Sequence, residues 1–193
     1  MLLSKSIDLS LDDKLNHLKT LKESITTDSV LFFEKVNFSK DDLSCISDID
    51  SLSDSNLENL RKFDLEVVQS FLFPPVLKSF SSFLNVPPLV TSSIVSKIPC
   101  QHPDTISIFE SYIDSLNVFR LIATLKVHYN LKSIILSLLY LNELITATRC
   151  LRLSRLEETV QSCHWGITDS FTFEENRIIS ELEKCSNFYK LNP

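Results

Sequence analysis

The chain is 193 residues long, enough for one large domain with its own core, and its formal net charge of −6, with no clustered Lys or Arg, argues against nucleic acid or an acidic membrane as partner. A single glycine, against an ordinary share of about 7%, removes the residue that tight hairpins and phosphate-cradling loops rely on, which excludes sheet-rich and nucleotide-binding α/β folds. Five cysteines (Cys45, Cys100, Cys150, Cys163, Cys185) are odd in number, widely spaced and without a CxxC pair, so reduced thiols are expected rather than a disulfide framework or a zinc site.

Leu11, Leu15, Leu18, Leu21 and Ile25 step by threes and fours, with Ser10 placed to cap and Asp12 and Asp13 in the first turn, which predicts an amphipathic helix. A shorter helix is expected over 28–36, and the Ser- and Asp-rich stretch 39–56 reads as a linker. Ser55 with Glu58 makes a capping box that opens a helix through Leu60, Val67 and Phe71, expected to stop before Pro74 and Pro75. Helical spacing resumes over 75–84 and again over 89–98, each time cut by prolines. Asp104 can cap a helix through Ile106, Phe109 and Ile113, continuing past Leu125 until Asn130 interrupts it.

Residues 131–149, LKSIILSLLYLNELITATR, form the most apolar run and read as a central helix buried on nearly every side. Asn142 and Glu143 interrupt the run well short of the length of about 20 residues that crosses a bilayer, so a core helix is expected rather than a membrane span. Ser154 with Glu157 opens a helix to Cys163 that Gly166 helps to end, and Thr172 with Glu175 opens the last helix through Ile178, Leu182 and Cys185. Trp165 is expected as a core or interface anchor.

The chemistry-bearing residues are scattered. Cys163 and His164 are neighbours in sequence, which does not by itself bring a thiol and an imidazole into bonding geometry. His17, His102 and His128 show no metal spacing, and Glu157, Glu158, Glu174 and Glu175 sit where carboxylates favour a helix N-terminus. No catalytic residue, metal or cofactor is assigned, and the chain is expected not to be an enzyme. The N-terminus lacks the apolar stretch of a secretory signal, and a cytoplasmic or nuclear location is expected.

Two segments carry a family resemblance. PDTISIFESYIDSL (103–116) resembles the opening of the cyclin box in single-box cyclins of the phosphate-regulon (P/U) type, and SIILSLLYLNEL (133–144) resembles that family's second box helix with its YLDRL ending. In the family an Arg and an Asp on these helices form a buried ion pair; the matching positions are Ser115 and Asn142, a paired loss of charge that a diverged box tolerates better than a single one. The family's kinase-docking Lys has no clear counterpart in the segment from Arg152 to Cys163.

The sequence is therefore read as an all-α, multi-helix protein: an N-terminal helical extension and linker over 1–54, then a domain resembling a single cyclin box over 55–193, with the resemblance strongest at 103–149. The resemblance implies a non-catalytic regulator that binds a cyclin-dependent-type kinase or a related protein, through a surface containing Tyr112, Arg152, Arg155, Glu158, Arg177 and Glu181. The alternative is a helical structural or adaptor protein without kinase binding.

Overall fold

The computed structural model describes residues 11–36, 62–93, 96–166 and 169–191, without the side chains of 11–14, 163–164 and 169–171. Ser10, the 39–56 linker, the Ser55–Glu58 capping box and the side chains of Cys163 and His164 lie outside that description. Among the described residues there are eight α-helices: α1 (Leu11–Ser24), α2 (Leu65–Leu84), α3 (Pro103–Ser115), α4 (Val118–Leu131), α5 (Ile134–Leu141), α6 (Ala147–Ser154), α7 (Leu156–Trp165) and α8 (Asp169–Lys190). A 3-10 turn at Ser29–Leu31 and one isolated bridge, Phe32 with Ser92, complete the regular structure, so the all-α expectation holds.

The centre of the fold is α5. All eight of its residues are buried, as an unbroken apolar run requires once it stands among other helices. α4 runs into it through a tight corner at Lys132, α2 and α6 pack on it, and the long α8 lies along α4. α1 packs on α3 and α4, and Leu21, Ile25, Val30 and Leu31 join the same core as Leu138, Phe80 and Leu182.

The helix over 131–149 is shorter than its hydropathy suggests. Lys132, with φ of 52°, ends α4, and Ser133 restarts the chain as the N-cap of α5. At the other end Glu143 takes φ of 61°, its N–H bonds to Tyr140 O at 2.9 Å, and the Leu144 N–H reaches back to Leu139 O at 2.9 Å. This pair of bonds is a Schellman stop, built without glycine. Asn142 reinforces it by donating its side-chain amide to Leu138 O at 2.8 Å.

Elsewhere the prolines behave differently from expectation. Pro74 and Pro75 lie inside α2, on its exposed side, so 65–73 and 75–84 are one helix. Each proline removes a helical N–H, a loss of about 3 kcal/mol in an isolated helix. Burial of Leu72, Phe73, Val76, Leu77 and Phe80 on both sides of the pair offsets it. Residues 86–93 are not helical, and Ser92 among them makes the bridge to Phe32. Gln101, itself buried, clamps them by accepting from the Val90 N–H at 2.9 Å and donating to Val90 O at 2.8 Å.

Only the turn at Ser29–Leu31 survives of the helix expected over 28–36. The cap of α3 is His102, not Asp104, with Pro103 at the first helical position. The chain also breaks at Leu116–Asn117, where Asn117 caps α4 by accepting from the Arg120 N–H at 2.9 Å. Ser154 closes α6 rather than opening α7, and Thr172 lies within α8, which begins at Asp169. Gly166, with φ of 103°, does end α7. Trp165 is 89% exposed, not a core residue.

Candidate functional site

One buried carboxylate organises the wall of the largest cleft described. Asp28 is 2% exposed and lies four residues past the end of α1, where its side chain caps the 3-10 turn by accepting from the Val30 N–H at 3.1 Å. Its oxygens also accept from the Ser133 hydroxyl at 2.8 and 3.0 Å and from the Ile135 N–H at 2.9 Å, at the N-terminus of α5. Ser133 in turn accepts from the Leu136 N–H at 3.1 Å. One acid thus satisfies orphan donors of two elements and sits where the helix dipole favours negative charge. Burial nevertheless dominates and raises its pKa to about 6, opposed by the bonds from Ile135, Val30 and Ser133.

The cleft lies between α1, α4 and α8 and has a volume of about 1120 Å³. Ile122, Leu125 and Ile178 give it an apolar floor, and Tyr129, 77% exposed, stands at its edge. His128 and Asp28 lie deeper. Burial lowers the pKa of His128, a hydrogen bond with the Ser133 backbone opposes that, and its Nδ1 is buried with no partner. At the rim, Arg177 holds Glu174 through Nε at 2.9 Å and Nη2 at 2.7 Å, and Glu181 through Nη1 at 2.9 Å. Bonding to Arg177 keeps the Glu174 carboxyl below the usual carboxylate range. Lys126 reaches Glu181 at 3.8 Å, and Arg155 reaches Glu158 at 3.7 Å.

The residues singled out from sequence divide into three groups. Arg155 and Arg177 line the cleft, with Glu158 and Glu181 paired to them at its border. Arg152 is 7% exposed and forms a two-pronged ion pair with Glu175, Nε to Oε1 at 3.2 Å and Nη2 to Oε2 at 3.3 Å, that ties α6 to α8 inside the protein. Tyr112 lies elsewhere: its hydroxyl accepts from Asn142 Nδ2 at 3.1 Å and lies 3.3 Å from the Tyr189 hydroxyl. Tyr189 follows Arg177 by twelve positions on α8, roughly 18 Å along the helix axis. The deepest members of the cleft, Asp28 and His128, are absent from the sequence-based set. Asp28 directly precedes a Ser-Val-Leu turn, the one local hint that it caps something.

Among the described residues, no group of three or more His, Cys, Asp or Glu side chains gathers to hold a metal, and no helix is long and apolar enough to cross a membrane. Cys150, buried behind Asp28, donates its thiol to Leu136 O at 3.3 Å. Burial, with the Asp28 charge adding to it, pushes that thiol well above its ordinary pKa, which keeps it protonated and unreactive.

No family model matches the sequence, and a search of curated proteins found no match. Solved structures do match. Atp12 from Paracoccus denitrificans superposes with a TM-score of 0.70 at 18% identity, over 97% of this chain and 69% of that one. A point mutant of the same protein gives 0.71 with the same identity and coverage. A candidate chaperone from Agrobacterium tumefaciens gives 0.67 at 14% identity, over 96% of this chain and 59% of that one.

These likenesses overturn the cyclin-box reading and the kinase partner drawn from it, because the folds that match along nearly the whole chain are Atp12 and a candidate chaperone, not cyclins. The geometry agrees. Ser115 is exposed and donates to Tyr112 O of its own helix at 2.7 Å, while Asn142 bonds to Tyr112 and Leu138, so the two positions taken for the cyclin ion pair are not bonded to one another. Of the two readings of the sequence, the helical structural or adaptor protein fits better. At these identities the likeness shows a shared all-α fold.

Proposed function

We propose that this chain is a non-catalytic assembly chaperone, which holds a client protein until the client joins its complex. The observation that carries the reading is the fold shared with Atp12 over 97% of the chain, seconded by the Agrobacterium candidate chaperone. The site is consistent with binding rather than turnover: the lone pairs of its buried carboxylate are occupied by the hydroxyl and backbone donors of Ser133, Val30 and Ile135. A protein is the partner class, since an acidic chain without a basic run repels nucleic acid and anionic lipid.

The test is suppression of aggregation and co-purification, with ATP synthase subunits as the first clients because of the Atp12 likeness. The full chain at equimolar ratio should keep one subunit soluble while it refolds and should elute with it as a complex. Absence of any complex, with aggregation unchanged for every subunit, overturns the proposal. A fluorescent tag on the full chain decides between the cytoplasmic or nuclear location expected from sequence and an organelle that houses the client.

A further inference from the structure

The charges around the cleft are unevenly satisfied. Both acids that line it are fully engaged: Asp28 by donors from Val30, Ser133 and Ile135, and Glu174 by the fork of Arg177. Of the basic side chains Arg177 is held by Glu174 and Glu181, and the others are not so held. Lys132 and the His17 imidazole have no side-chain partner among the described residues, and Lys126 and Arg155 reach their nearest carboxylates only at 3.8 and 3.7 Å. Charge-assisted bonds of full strength lie at about 2.7 to 2.9 Å. The unused capacity of the cleft is therefore for acceptors and negative charge, although the chain as a whole carries −6.

Beneath those basic groups the floor is apolar, with Ile122 and Leu125 half-buried over the buried Ile178 and the Tyr129 ring 77% exposed beside them. A small hydrophilic anion would leave that floor wet. A helix with one apolar and one acidic face satisfies both layers, burying its apolar stripe between α1, α4 and α8 while its carboxylates meet the rim.

Resting on the chaperone reading, we propose that this cleft receives an acidic amphipathic segment of the client, with carboxylates directed to Lys132, His17 and Arg155 and apolar side chains on Ile122, Leu125 and Tyr129. The complementary charge sets which segment is chosen, and the apolar floor supplies most of the affinity.

The probes are a fluorescein-labelled helical peptide with Leu and Phe on one face and Glu on the other, and its counterpart with every Glu replaced by Lys. By fluorescence anisotropy with the full chain, the Glu peptide should bind about tenfold or more tightly than the Lys peptide, and the difference should shrink as salt rises. Lys132→Glu combined with Arg155→Glu should invert the preference. Tyr129→Ser, at a position exposed enough to leave folding intact, should weaken both peptides, which share the apolar face, and leave their ratio unchanged. Equal binding of the two peptides, or a preference unmoved by the charge reversal, overturns the inference. Displacement of the Glu peptide by free citrate as readily as by unlabelled peptide also overturns it, in favour of a small-anion site. If the double variant still protects the client from aggregation, the cleft inference fails and the chaperone reading stands; if the peptide preference holds while no client is protected, the chaperone reading fails and the cleft stands.

Discussion

Replacing Asp28 by Ala removes the acceptor shared by the 3-10 turn and α5, leaving the Ser133 hydroxyl and the Val30 and Ile135 N–H groups unpaired inside the protein. Each stranded donor costs about 1 to 3 kcal/mol, while loss of a buried charge returns part of that, so a net destabilisation of about 2 to 4 kcal/mol is expected at neutral pH. The pH dependence separates this account from a simple packing loss. The folded-state pKa of Asp28 is about 6 against an ordinary 3.8 for a free aspartate, so the folded protein takes up a proton that the unfolded chain does not. A raised carboxylate pKa gives stability that is fully present below the unfolded value and is lost as pH rises through the folded one. Between pH 7.5 and 5.0 the wild type should therefore gain about 1.4 kcal/mol relative to both Asp28→Ala and Asp28→Asn, whose other titrating groups are unchanged. Urea unfolding of the three proteins at the two pH values measures the gap. A gap that stays constant or narrows on acidification refutes the reasoning, because it would mean that the donors around Asp28 hold its carboxylate ionised against burial.

Three further expectations concern the core and the chain's organisation. Leu138→Ala, at a fully buried position of α5, should destabilise by about 2 to 5 kcal/mol in the same unfolding assay. Arg152→Ala should lower stability by about 3 to 5 kcal/mol by stranding Glu175, whereas Arg152→Met with Glu175→Leu should restore most of it, and chemical denaturation of the single and double variants distinguishes the two. If the 39–56 stretch is the linker its composition suggests, limited proteolysis should cut there first, and the two fragments should still co-elute on a sizing column because Leu21, Ile25, Val30 and Leu31 belong to the shared core.

Helix identity was largely legible because the apolar spacing of α1, α3, α4 and α8 survives any detail of tertiary packing. Helix ends were not, and the reason is chemical. Left-handed stops usually announce themselves as glycine, but this chain has one glycine and, among the described residues, makes three such stops with Asn85, Lys132 and Glu143. A non-glycine residue there costs on the order of 1 kcal/mol or more, held in place by the burial of the helices on either side. With no glycine to mark Lys132 and Glu143, the apolar run 131–149 looks like one helix although it contains α5 flanked by two reversals. The prolines mislead in the opposite sense, since the buried residues around Pro74 and Pro75 carry α2 through a pair that would end a free helix.

The site was less legible than the fold because its central contact joins residues 105 positions apart: neither an Asp after α1 nor a Ser before α5 signals the other. The misplaced family resemblance has a related cause. The segments 103–116 and 133–144 do converge, but through Tyr112 and Asn142, with Tyr189 of α8 closing the cluster and Arg120 lying 4.7 Å over the Tyr189 ring. A short pattern of aromatic, leucine and polar residues records that two amphipathic helices can pack with a hydrogen bond at their crossing, and many folds meet that requirement. What distinguishes them is the third partner. Here it is the C-terminal half of α8, whose N-terminal half carries Arg177 and Ile178 into the cleft, so one helix braces the Tyr112 crossing at one end and lines the candidate client site at the other. The pattern in 103–144 contains no trace of α8, which is why those two segments could suggest a helical pair without identifying the protein built around it.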